Sequence, residues 1–184
     1  MRIYAPLLIL TVLAGMLLAC ENINQTPTER FVSYMQRCVQ AQLYFKEGHG
    51  NWAGDNDHDN NIGDTGFSDG DSVHMLRSHD LNFTLTLDGS VYLFRYGMAN
   101  GRGNAVFAVF ANNENPQPMP DVGREYCRSL DNAVDGYEDG SSGRVLGYRT
   151  SRLKWRPGSG TYETTGMPQG WDSGELGACV MLLE

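Results

Sequence analysis

Apolar positions divide the chain into a few segments of clear period and one long stretch with none. Phe31, Met35 and Cys38 recur at helical spacing beside Val32, Val39 and Leu43, so a single apolar stripe runs to about Phe45. Thr26-Pro27-Thr28-Glu29 stands in front of it. Threonine as the N-cap, proline at the first helical position and glutamate at the third form a capping-box signature, and Gly48 is a natural stop. The spacing therefore predicts an N-terminal helix over residues 27–45. Residues 81–88 alternate instead, with Phe83, Leu85 and Leu87 on one side, and Asp88-Gly89 favours a two-residue turn into residues 91–96. That turn sets Phe83 opposite Phe94, Leu85 opposite Tyr92 and Leu81 opposite Tyr96. Residues 105–110 are apolar on both faces, as in a central strand, while residues 144–155 and 178–183 are weaker strand candidates. Helix first and antiparallel strands after it predict an α+β domain, with the helix packed on one face of an antiparallel meander sheet.

Between helix and sheet, residues 48–71 have no periodicity and consist mainly of Gly, Asp and Asn, with Trp52, Ile62 and Phe67 as isolated apolar points. Loops of this length in a small domain are usually functional or held by something. Asp55, Asp57 and Asp59 alternate as the first three ligands of an EF-hand-like loop do, and Asp64, Asp69 and Asp71 add carboxylates. No lysine or arginine lies between Lys46 and Arg77. A hard divalent cation with oxygen ligands relieves such a concentration of charge, which makes calcium the expected ligand. Asn60 stands where the EF-hand pattern has glycine and Gly66 where it has glutamate, so weak affinity is expected. The competing reading of the same residues is a run of solvated turns.

The chain begins Met1-Arg2 and then carries no charge through Cys20, a length at the short end for a spanning helix. It closes on Leu17-Leu18-Ala19-Cys20, which resembles the lipobox of bacterial lipoproteins, where the cysteine sulfur receives lipid. This implies a signal peptide over residues 1–19, a lipidated Cys20, a tether over residues 20–25 and one globular domain over residues 26–184. An uncleaved anchor is the alternative. Either places the body outside the cytoplasm, membrane-anchored in the periplasm or at the cell surface, and Glu21 after the cysteine favours the outer membrane. A net charge of −8 with no basic run argues against a nucleic-acid partner. With Cys20 lipidated, three cysteines remain; in an oxidising compartment two are expected to pair, leaving one over. Cys38 lies on the helix stripe, where a free thiol packs as a small hydrophobe.

Signatures of catalysis are weak. Gly66-Phe-Ser68-Asp-Gly70 fits the G-x-S-x-G pattern, but no strand precedes it and no helix follows, as the nucleophile turn requires. His74 and His79 miss the four-residue spacing of a zinc pair, and His49 and His58 have no companion ligand at a metal-site interval. No enzyme is predicted.

Several segments resemble the type IV pilins and the pseudopilins of type II secretion. Gln42-Leu-Tyr-Phe45 with Trp52-Ala-Gly-Asp55 is similar to the end of a pilin helix and the loop that follows. Ser68-Asp-Gly-Asp71 with Met75-Leu76 looks like the turn before a pilin sheet. Residues 107–110 and 122–130, with Cys127 and later Cys179, look like the disulfide-bounded C-terminal region of the type IVb subgroup. The resemblance implies a pilin-like fold and a disulfide between Cys127 and Cys179. A prepilin carries a glutamate five residues into its retained apolar helix, whereas the apolar stretch here has none. The implied function is a non-enzymatic structural, assembly or adhesion lipoprotein, with pilin or secretion-apparatus proteins as partners. The alternative is a stand-alone, calcium-dependent extracytoplasmic binding lipoprotein.

Overall fold

The first helix starts where its sequence signature places it. This computed structural model describes residues 25–64 and 83–183; Cys20, Ser68, Asp69, Asp71, His74 and His79 lie outside them. Helix α1 spans Pro27–His49, and its capping box is complete. The Thr26 hydroxyl accepts from the Glu29 amide at 3.2 Å, and the Glu29 carboxylate accepts from the Thr26 amide at 2.7 Å. The helix passes through Gly48 and ends at Gly50, whose φ of 82° is the left-handed conformation a helix C-cap favours.

Strand β1 (Thr84–Leu87) and strand β2 (Ser90–Ala99) form the hairpin, with Leu85 opposite Tyr92, the pairing that the alternation predicts. Asp88 and Gly89 both have positive φ, 48° and 75°, the type of turn whose twist matches the flanking strands. Strand β3 (Gly103–Asn112) pairs antiparallel with β2, and the two-residue β4 (Asn115–Pro116) folds back on β3. Helix α2 follows over Asp121–Asp135, then β5 (Val145–Arg149), a 3-10 turn over Thr150–Arg152, β6 (Leu153–Arg156), β7 (Thr161–Thr164) and β8 (Leu176–Leu182).

The fold class expected from the sequence is overturned. Instead of a helix on an antiparallel meander, the chain forms an eight-stranded mixed sheet, a half-barrel of order β5-β8-β3-β2-β7-β6, with β1 and β4 attached at its side and only two helices among the described residues. The last strand, β8, enters the middle of the sheet, and β7 runs parallel to β2. Burial explains the central place of β8. Val106 and Ala108 of β3 join a core with Cys179 and Met181 of β8, whereas Ala105, Phe107 and Val109 face the other way with Ala178, Val180 and Leu182. Two strands that are apolar on both faces belong at the centre of a sheet covered on both sides.

The helices cover one side. Phe31 of α1 meets Tyr92 at 5.6 Å and Tyr126 of α2 at 5.5 Å between ring centroids, and Tyr34 meets Phe94 at 4.5 Å. Edge-on and tilted contacts of this kind are the favoured aromatic geometries. The second face is filled by the sheet's own strands as it curls, with Tyr162 of β7 between Phe107 and Trp155. Curling brings β7 against β2 closely enough that a Cβ on Gly97 would lie 1.8 Å from the Tyr162 carbonyl oxygen. Among the described residues no helix is long and apolar enough to cross a membrane.

Candidate metal centre

Residues 50–64 leave the end of α1 and are tied back to it by neutral amides. Gln42, buried on the helix stripe, donates to the Ala53 carbonyl at 3.1 Å and accepts from the Ala53 amide at 3.0 Å. Trp52 packs inward with Lys46 Nζ 3.9 Å above its ring, and its indole donates to Asn60 Oδ1 at 3.1 Å. From the sheet, Asn104 accepts from the Ile62 amide at 2.7 Å and donates to the Asn60 carbonyl at 2.6 Å. The loop is thereby clamped between the helix and β3.

Within that clamp three carboxylates converge. Asp55, Asp57 and Asp64 each place one oxygen within 4.8 Å of the other two, an arrangement that could hold a metal ion. Asp64 is half-buried and Asp57 exposed, and both have local partners. The Asp64 carboxylate accepts from the amides of Asn56 and Asp57, and Asp57 accepts from the Asp59 amide at 3.1 Å. These are ordinary turn contacts. Asp55 differs, being 1% exposed. Its Oδ2 accepts from the Asn60 amide at 3.2 Å, but its buried Oδ1 has no hydrogen-bond partner. Among the described residues no lysine or arginine forms an ion pair with any of the three. A buried charged oxygen without a partner is costly, and here it belongs to a cluster of like charges.

The six aspartates expected from the sequence thus separate. Asp55, Asp57 and Asp64 meet; Asp59 turns away, accepting from the Asn61 amide and side chain, each at 2.8 Å; Asp69 and Asp71 lie outside the described residues. Gln42 and Asn104, which position the loop, escaped the sequence reading. Their signal was present, since each interrupts or adjoins an apolar run where a polar side chain needs a buried partner.

The cysteines occupy the core. Cys38, Cys127 and Cys179 are all buried thiols. Tyr96 donates to the Cys38 carbonyl at 2.9 Å, and burial pushes the Cys38 thiol far above its usual range. A further polar group missed from the sequence is Asp131 of α2. Its Oδ2 accepts from the Trp171 indole at 2.8 Å and from the amides of Asp139 and Gly140, each at 3.0 Å. Burial raises its carboxyl above the ordinary range, against the lowering effect of these donors.

Fold and site together define a mostly β, two-helix protein with a three-carboxylate candidate centre on the loop between α1 and the half-barrel. No protein-family model matches the chain, and no curated protein or solved structure matches it.

Proposed function

We propose that this chain is an exported, lipid-anchored, non-enzymatic binding protein whose helix-to-sheet loop binds calcium through Asp55, Asp57 and Asp64. The observation that carries the calcium reading is the buried, unpartnered Oδ1 of Asp55 beside two further carboxylates. Two oxygens bonded to one calcium at about 2.4 Å can lie no more than about 4.8 Å apart. The separations in the loop fall within that limit. Magnesium demands a tighter octahedron and retains its water, whereas calcium accepts irregular sets of oxygen ligands that include backbone carbonyls and water. The exposed side at Asp57 leaves room for water.

Lipidation of Cys20 supplies the anchor, as its lipobox-like context suggests. The structural, assembly or adhesion part in a pilus or secretion apparatus that the pilin-like segments imply rests on those short segments alone, whereas the calcium reading has the Asp55 cluster behind it. Calorimetric titration of the chelator-treated protein tests the calcium reading. One calcium per chain with weaker magnesium binding is expected. No binding at several millimolar calcium, the range of weak extracellular sites, would refute it.

A further inference from the structure

The strands at the two ends of the sheet, β5 and β6, differ in how their outer sides are closed. Beside β5 the Gly147 amide donates to the Gly140 carbonyl at 2.7 Å, and the Gly147 carbonyl accepts from the Gln169 amide at 2.8 Å. No strand among the described residues pairs with the outer side of β6. The register shows which backbone groups face that side. The Thr165 amide donates to the Arg152 carbonyl at 2.8 Å, in step with the antiparallel pairing of Lys154 with Glu163. Hydrogen-bonded and non-hydrogen-bonded pairs alternate along such a ladder. Lys154 and Arg156 therefore direct their backbone groups toward β7, and Leu153 and Trp155 direct theirs outward. The Leu153 amide closes the preceding turn on the Thr150 carbonyl, which leaves the Leu153 carbonyl and both backbone groups of Trp155 along the outer edge.

The side chains of this edge oppose the charge of the whole. The chain has a net charge of −8, yet four of its 14 lysines and arginines are Arg149, Arg152, Lys154 and Arg156. They are interspersed with other residues rather than forming a run, and all four are exposed. Glu163 is the one acidic residue between Asp139 and Asp172 in sequence, and it pairs with Arg156. Arg149 donates to the Ser173 hydroxyl at 2.9 Å. Among the described residues no carboxylate forms an ion pair with Arg149, Arg152 or Lys154. Along β6 the exposed Lys154 and Arg156 alternate with half-buried Leu153 and Trp155, and the Trp155 ring lies 4.9 Å from that of Tyr162.

We infer that the outer side of β6 is a docking edge for an extended acidic segment of a partner protein. The segment adds as a further strand, with carboxylates on the face of Lys154 and Arg156 and apolar side chains on the face of Leu153 and Trp155. Main-chain hydrogen bonds seat such a strand, and its alternate side chains give selectivity. Charge fixes the class of partner. Lysine on a short edge strand discourages pairing between like edges, so a second copy of this chain would set cation against cation. A strand with Glu or Asp at alternate positions meets the same cations with opposite charge, which stabilises cross-strand pairs. An anionic lipid surface would match the charge but leave the outward N–H and C=O groups of β6 without strand partners. The docking edge is separate from the calcium loop and needs neither calcium nor the lipid anchor.

The test is fluorescence anisotropy of a labelled peptide, Ser-Val-Glu-Val-Glu-Val-Ser, mixed with the full chain in the presence of phosphatidylcholine nanodiscs. Saturable one-to-one binding is expected, with slower hydrogen exchange in the segment containing Trp155. Arg152→Glu with Lys154→Glu should weaken binding roughly tenfold, the scale of two exposed ion pairs turned into repulsions. Because Lys154 lies opposite Glu163, that reversal also loosens β6 from β7, so Arg152→Gln with Lys154→Gln is measured beside it and should weaken binding roughly threefold. The same peptide with lysine in place of glutamate should not bind. Two further peptides are N-methylated, one at the valines and one at the glutamates; the first blocks antiparallel and the second parallel addition, and one of them should lose binding. No binding at millimolar peptide, undiminished binding of both N-methylated peptides, or binding that neither double variant weakens overturns the inference. Protection of the Trp155 segment by phosphatidylglycerol nanodiscs without peptide binding assigns the cations to a lipid surface instead, and protection that grows with protein concentration alone assigns the edge to a second copy; either result also overturns it.

Discussion

Exchanging Asp55 for asparagine is expected to raise the thermal midpoint of the cation-free protein and to remove the increment that calcium gives. In the cation-free state Oδ1 of Asp55 is buried without a partner. Leaving such an atom unsatisfied costs about 1–3 kcal/mol, and more when it is charged. In Asp55→Asn the amide oxygen keeps the contact with the Asn60 backbone, and the amide nitrogen takes the place of Oδ1. The change also removes one of three neighbouring carboxylates, each of which has an oxygen within 4.8 Å of an oxygen of the other two. For a domain of this size about 1 kcal/mol moves the midpoint by about 2–4 °C. The variant in chelator is therefore expected to melt roughly 3–8 °C above the parent. A site with a dissociation constant of about 1 mM gains about 1.4 kcal/mol at about 10 mM calcium. That corresponds to about 3–6 °C for the parent and none for the variant. Differential scanning calorimetry at matched ionic strength measures both. Asp59→Asn is the control, because Asp59 faces Asn61 rather than the cluster and should leave the calcium increment intact. An Asp55→Asn protein that melts lower in chelator, or retains the increment, refutes the reasoning.

Gly97→Ala sets a Cβ against the Tyr162 carbonyl; separating β7 from β2 is expected to lower the midpoint by at least about 5 °C in the same calorimeter, and an unchanged midpoint would mean the two strands are not in register there. Asp131 supplies a pH dependence: its carboxyl is raised mainly by burial, so its contribution to stability is complete below the unfolded value near 3.8 and declines as pH rises through the folded value. Urea midpoints of the parent should thus fall relative to Asp131→Asn on going from pH 4 toward neutrality, and a constant difference between the two proteins would exclude this linkage. Cys20→Ser is expected to abolish incorporation of radiolabelled palmitate and membrane association; equal membrane retention of the variant would rule out the lipid anchor.

Legibility in the sequence followed the range of the interaction. The capping box of Thr26 and Glu29 and the Asp88-Gly89 turn involve neighbours in the chain, and both were readable from a few residues. Helix α2 was missed although Tyr126, Leu130 and Val134 recur at four-residue spacing, because residues 122–130 were assigned by resemblance rather than by period. Strand order was not readable. The entry of β8 between β5 and β3, and the parallel approach of β7 to β2, depend on which apolar faces meet across the chain. Gly97, which permits that approach, carries no periodic signal. In the acidic loop, composition pointed to a carboxylate cluster, but spacing did not show which aspartates meet. Asp55, Asp57 and Asp59 alternate in sequence, yet the loop turns between them, so Asp59 caps its own turn while the more distant Asp64 arrives beside Asp55.

That turn is imposed by neighbours that carry no charge at the site, which bears directly on cation affinity. Three carboxylates within 4.8 Å repel one another, by on the order of 1 kcal/mol or more for each pair even in a watery environment. Arginine or lysine could have neutralised them, but the lysine nearest in sequence, Lys46, lies over Trp52 and reaches toward Asn60 instead. Restraint comes from the paired bonds of Gln42 to Ala53 and of Asn104 to Asn60 and Ile62. Amide contacts fix geometry without cancelling charge. On the proposed calcium reading the cluster would offer its full charge to the cation, with the conformational cost of assembling the ligands already met by folding, and such preorganisation is a general source of binding affinity.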